Sequence, residues 1–112
     1  MINGAHVIIY SKDTDADKAF FRDVLKFSNI DVGNGRLFFK LPSSELGMHE
    51  SEKNNVHEIW LMTDDVEAEV ARLKAAGVTC DAIADRGWGT VTQIALPGGG
   101  KLGLYQPRHE RP

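Results

Sequence analysis

Apolar and polar positions fall into short blocks along this chain, and the blocks recur in the same order twice. The run Ala5-His6-Val7-Ile8-Ile9-Tyr10 is short and β-branched, which predicts a strand. Ala16, Ala19, Phe20, Val24 and Phe27 then recur at helical spacing, predicting an amphipathic helix over about 14–25. The acidic stretch Asp13-Thr14-Asp15 before it offers side chains that can cap that helix. Gly33-Asn34-Gly35 is a turn signal between two β-rich runs, the second being Arg36 to Leu41. Pro42-Ser43-Ser44 breaks the chain before a short strand around Glu45 to Glu50, and polar Ser51 to Asn55 connects to the second half. There Val56 to Met62 reads as a strand and Asp64-Asp65 as a cap. Val66, Val70 and Leu73 mark the buried stripe of a helix ending at Gly77. Strands are expected over Val78 to Ala84, Gly89 to Leu96 and Lys101 to Gln106, with Pro97-Gly98-Gly99-Gly100 as the last turn.

The halves align by hand. His6 corresponds to His57 at an offset of 51, Leu41-Pro42 to Leu96-Pro97 at 55, and Glu45–His49 to Lys101–Tyr105 at 56. The offset grows only across loops, as expected for two copies of one unit reading strand, helix, strand, strand, strand. The expected organisation is one domain over 1–112, with module one about 1–51, module two about 52–107 and a polar tail over 108–112. The tail is expected to fray, with His109 in solvent.

Composition narrows the partners. With 42% apolar and 26% charged residues, the chain is not a disordered polyelectrolyte. A net charge of −3 and scattered cations argue against a nucleic-acid partner. No apolar run is long enough to span a bilayer and no signal peptide is visible. The single cysteine, Cys80, cannot form an internal disulfide, so a reducing cytoplasm is expected.

Several motifs fail on their chemistry. Asp13-Thr14-Asp15-Ala16-Asp17 opens like a calcium loop, but Lys18 and Val24 stand where the turn glycine and the bidentate glutamate are needed. Gly98, Gly100 and Gly103 satisfy the dinucleotide glycine spacing, yet they connect two strands with no helix N-terminus to hold a pyrophosphate. Cys80 reads as a small buried hydrophobe rather than a nucleophile.

The twice-repeated βαβββ plan resembles the vicinal-oxygen-chelate superfamily of glyoxalase I, bleomycin-resistance proteins and extradiol dioxygenases. Asp13 to Phe27 is similar to that family's first helix, with Phe21 for the usual Tyr and Lys26 for the usual Gly. Asp64-Asp65-Val66 through Ala76-Gly77-Val78 is similar to its second helix. Trp88-Gly89 and the glycine turn before Lys101 to Gln106 resemble its last strands, although Leu96-Pro97-Gly98-Gly99 departs from the usual D-P-x-G. The resemblance implies an α+β fold: two tandem modules whose curved mixed sheets surround a cavity, with the helices outside.

In metal-using members, each module supplies a His from its first strand and a carboxylate from its last. His6 and His57 fall on the His positions, but Gly47 and Gly103 fall where Glu is usual. Glycine offers no oxygen ligand, so the resemblance leaves the metal open: Fe, Zn, Ni or Mn, or none. His49 and Tyr105 lie two residues beyond the glycines and therefore on the same sheet face. The expected cavity face thus carries His6, His49, His57 and Tyr105, with Ile8, Tyr10 and Ile59 beside them. His6 and His57 are candidate ligands or polar lining, and His49 is a weaker third ligand. Tyr105 is a cavity hydrogen-bonding group or a catalytic base or donor. Trp60 and Trp88 read as core or interface aromatics, with ligand stacking the minor alternative. Two functions follow from the resemblance: a metal-dependent lyase, isomerase or dioxygenase on a small oxygenated substrate, or a metal-free binder of a small, partly aromatic or cationic drug or metabolite. A homodimer is expected, because the cavity face of each module would otherwise leave an exposed apolar patch.

Overall fold

The computed structural model describes residues 6–112. Helix α1 spans Thr14–Ala19 and runs on into a π-helical turn, Phe20–Val24. Its N-cap is Asp13, whose carboxylate accepts from the Ala16 amide at 3.0 Å. The single helix expected over 14–25 is therefore continuous in path, but the Leu25 amide donates to the Phe20 carbonyl, five residues back. The widened turn lets Phe20 and Phe21 both enter the core.

Strands β1 (Asn29–Asp31) and β2 (Leu37–Phe39) form an antiparallel hairpin around Gly33-Asn34-Gly35, where Gly35 (φ 75°) and Asn34 (φ 55°) supply left-handed turn conformations. Strand β3 (Trp60–Met62) leads into α2 (Val66–Ala75). Asp65 caps α2 by accepting from the Ala68 amide at 3.0 Å. At the other end Gly77, with φ 85°, lets its own amide reach Lys74 and the Val78 amide reach Leu73, each at 3.0 Å. Strands β4 (Ala84–Asp85), β5 (Gly89–Ala95) and β6 (Lys101–Pro107) complete a sheet in the order β3-β6-β5-β4. The β3–β6 pair is parallel and the other pairs are antiparallel.

One face of that sheet, through Ile94, Leu102 and Leu104, packs against Val66, Val70 and Leu73 of α2 and against Phe20 and Phe21. Ile59 and Leu61 pack onto the same core, as do Val24, Phe27 and Phe39. The two halves are joined there and by a buried tie: Asp17 accepts from the Gly98 amide at 2.7 Å. The observed architecture is α+β with mixed sheets, as expected.

The second module completes its sheet and the first does not. Ala5, the start of the expected first strand, lies outside the described residues, and His6–Tyr10 are exposed and unpaired. Glu45–Glu50 likewise joins no ladder. A strand exists only where a neighbour accepts its backbone hydrogen bonds, and here neither segment pairs with the hairpin, although the His6 ring touches Phe38. The expected strand over 78–84 shortens to a bridge between Cys80 and Ile94 followed by β4. Among the described residues no helix is long and apolar enough to cross a membrane.

Candidate functional site

Side-chain alternation along β5 and β6 sets up two unlike faces. With Leu102 and Leu104 turned into the core, Gly103 and Tyr105 of β6 face the open side. Trp60 stands opposite Gly103 in the β3–β6 register, and Tyr105 stands opposite Met62. The Trp60 indole lies flat over Gly103, so that a methyl group there would run into its Cδ2 and Cε3 atoms. Across the sheet, a methyl group at Gly89 of β5 would run into the Gln106 carbonyl and crowd the edge of the Tyr105 ring.

The result is an aromatic cluster on the open face. Trp88 and Tyr105 meet edge to face with ring centroids 5.4 Å apart, Trp60 and Tyr105 at 5.9 Å, and Trp60 and Trp88 at 6.4 Å. Trp88 remains half exposed. The Trp60 Nε1–H donates to Glu58 Oε2 at 3.0 Å, which puts a carboxylate at the edge of the cluster. Burial, together with the nearby Glu45 carboxylate, pushes the Tyr105 phenol above its ordinary value, so it stays protonated.

The tail is exposed, as expected, but it is not without contacts. His109 comes back over Tyr105: the phenol oxygen and His109 Nε2 are 3.2 Å apart, and His109 Nδ1 lies 3.0 Å from the Glu110 carbonyl. A carbonyl can only accept, so Nδ1–H donates to Glu110, whereas the Tyr105 contact runs in either direction according to whether Nε2 carries a proton. Arg108 holds the start of this segment with a forked pair to Asp85, at 2.6 and 2.9 Å. That pair and the Gly87 amide hold the Asp85 carboxyl down at about 2.

The remaining expected site residues are dispersed. Ile59 packs on the helix-covered face rather than beside Tyr105. His6 stacks edge-on against Phe38 of β2, with centroids 4.6 Å apart. Ile8, Tyr10, Gly47, His49 and His57 are all exposed on segments outside the sheets. Gly47 and Gly103 are unlike positions, since a side chain at Gly47 would meet open space and one at Gly103 meets an indole. Among the described residues no group of three or more His, Cys, Asp or Glu is arranged to hold a metal ion. The donors present in one chain therefore do not fit the ion that the resemblance implies.

The helix caps give a second measure of the repeat. Asp13 and Asp65 are equivalent caps, and His6 lies seven positions before the first. Seven positions before Asp65 is Glu58, which makes Glu58 the counterpart of His6, and His57 its neighbour on the opposite parity. Counting from His57 puts Glu58 on the opposite face and sets it aside, whereas counting back from the cap puts it on the face of Trp60. The aromatic cluster was missed because the partnership of Trp60 with Gly103 depends on strand register.

Comparison with known proteins agrees with this architecture. A family model described as Glyoxalase/Bleomycin resistance protein/Dioxygenase superfamily matches residues 4–99. No curated protein matches the chain in sequence. Similar solved structures include TnmS3, an antibiotic binding protein from Streptomyces sp. CB03234, with TM-score 0.66 and 23% identity over 96% of this chain and 99% of that one. A lactoylglutathione lyase from Agrobacterium tumefaciens has TM-score 0.64 and 20% identity over 88% of each chain. A superfamily member from Sphaerobacter thermophilus DSM 20745 has TM-score 0.67 and 20% identity, covering 94% of this chain and 98% of that one. At these identities the likeness is one of fold.

Proposed function

Because the chain belongs to the Glyoxalase/Bleomycin resistance protein/Dioxygenase superfamily, we propose that it binds a small, partly aromatic or cationic organic molecule, without a catalytic metal, on the open face of its second module. The observation that carries this reading is Gly103. Its side-chain space, where metal-using relatives would carry a carboxylate, is taken by the Trp60 indole. Trp60, Trp88 and Tyr105 offer aromatic area, and Glu58 adds an acceptor at its edge. Aromatic rings beside a carboxylate favour a planar ligand carrying positive charge. TnmS3 is an antibiotic binding protein, which is consistent with a small-molecule ligand here.

The same reading places two chains together. Tyr10 is 91% exposed, Leu46 83% and Met48 85%, and all three lie on the unpaired segments of module one. A second copy that pairs with those segments would remove this apolar surface from water and could bring His6, His49 and His57 to the rim of a shared cup. Sedimentation equilibrium at micromolar concentration is expected to give a dimer, and a monomer throughout would overturn this part. The lone, partly buried Cys80 supports a reducing compartment such as the cytoplasm.

Titration with berberine, a fluorescent planar aromatic cation, tests the function. Binding is expected to survive chelators and to be lost in Trp88→Ala. Absence of binding, together with a stoichiometric metal that is retained on purification and lost in His6→Ala, would instead support the metal-dependent enzyme.

A further inference from the structure

The segment after β6 makes more contacts than a loose tail needs, and one of them, from His109 to Tyr105, reaches the aromatic face. Its first residue continues the ladder, the Arg108 amide donating to the Trp88 carbonyl at 3.0 Å. The Arg108 guanidinium then grips Asp85 and also donates to the Gly87 carbonyl at 3.1 Å. Gly87, with φ 80° and its amide on Asp85 at 2.9 Å, shapes the β4–β5 turn to receive it. From this anchor the chain doubles back. His109 meets the Tyr105 hydroxyl, and its Nε2 lies 4.0 Å from Glu45. Arg111 and Pro112 line a small open cavity of about 70 Å³ together with Met62, Ser43, Ser44 and Glu45. Met62 and Tyr105 are register partners on the open face, so the segment crosses β3 and β6 where the aromatic cluster ends.

We infer that residues 108–112 form a displaceable strap over the ligand-binding face, latched at Arg108–Asp85 and at His109–Tyr105, so that strap and ligand compete. The inference rests on the proposed binding face. Its physical basis is an imbalance: the strap's contacts are polar and solvent-exposed, whereas the rings beside it are apolar and only partly covered. Exposed ion pairs hold weakly, and a ligand burying aromatic surface can outweigh them. The Tyr105 hydroxyl is then freed for the ligand.

The two tryptophans report on the strap through Tyr105, whose ring meets both indoles and His109, and Trp60 and Trp88 are the chain's only ones. Arg108→Ala and, separately, His109→Ala are compared with the unchanged protein and with Asp81→Ala, which removes a similarly exposed ion pair to Lys101 elsewhere. Near-ultraviolet circular dichroism checks that each variant keeps its packing. Both strap variants are expected to raise tryptophan quenching by acrylamide and to tighten berberine binding about two- to fivefold, with Asp81→Ala unchanged. Quenching that does not rise in either strap variant overturns the strap. Raised quenching with no berberine binding in any protein upholds the strap but overturns the reading of this face as a site for aromatic cations. Raised quenching with equal affinity in all four overturns competition.

Discussion

Substituting Gly103 by alanine separates a glycine kept for an indole from one left by a lost ligand. The backbone at Gly103 lies outside the left-handed region, so alanine is conformationally allowed there. Relief of glycine's entropy in a strand would stabilise the fold by about 0.5–1 kcal/mol. Against this, the new methyl runs into the Trp60 ring, which packs edge to face on Tyr105 and Trp88 and has little room to tilt away. Overpacking of this kind costs about 1–3 kcal/mol. The clash is larger, so a net loss of about 1–2 kcal/mol is expected, a fall in melting temperature of about 4–8 °C for a chain of this size. The measurement is thermal or urea unfolding of Gly103→Ala, Trp60→Ala and the double variant. In the Trp60→Ala background the methyl has space, so the second substitution should be neutral or stabilising, and the cycle should show coupling of at least about 1 kcal/mol. Equal destabilisation by Gly103→Ala in both backgrounds would refute the seating of the indole on this glycine. Gly47→Ala, which meets open space, should change stability little.

Three further outcomes follow from named contacts. Asp17→Ala leaves the half-buried Gly98 amide without its acceptor and should cost about 1–2 kcal/mol in urea unfolding. Gly77→Ala forces an L-residue to φ 85° at the end of α2 and should cost about 1–2 kcal/mol, read as a lower melting temperature. The Asp85 carboxyl is held at about 2, below its ordinary 3.8, so its pairing with Arg108 is fully present above pH 4 and is lost as pH falls through 2. Acrylamide quenching of the tryptophans should rise across that interval, and Asp85→Asn should show the raised quenching already at neutral pH.

Much of the second module was legible in the sequence because its signals are local. Asp65 and Gly77 bound α2 as capping chemistry dictates, and β5 and β6 appear within a residue of their expected ends. The first module was less legible for a physical reason. Val7–Tyr10 and Leu46–Met48 have strand composition, but pairing is a property of two segments, and in the single chain these find no ladder. The π-helical turn after α1 was equally hidden, because spacing alone does not distinguish a five-residue hydrogen bond from a four-residue one. The tail is solvent-exposed as its polar residues imply, but nothing in Arg108 or His109 signals the contacts with Asp85 and Tyr105.

The site turned on a parity. Aligning the two modules on their histidines set His57 opposite His6 and so assigned Ile59 to the face of Tyr105. Aligning them on their helix caps moves the correspondence by one residue, and in a strand one residue exchanges the faces. The packing decides between these alignments, because Ile59 and Leu61 lie on the core and the Trp60 indole covers Gly103. With that phase the residues facing Tyr105 are Glu58, Trp60 and Met62. The open face of the second module accordingly changes from a set of imidazoles lacking their carboxylates to an aromatic surface with a carboxylate at its edge. Gly103 reads differently too: its missing side chain is what allows the Trp60 ring to lie against the sheet and Tyr105 to meet it edge-on. A glycine in a ligand position is thus weak evidence for a lost metal site until the side chain opposite it in the register is known.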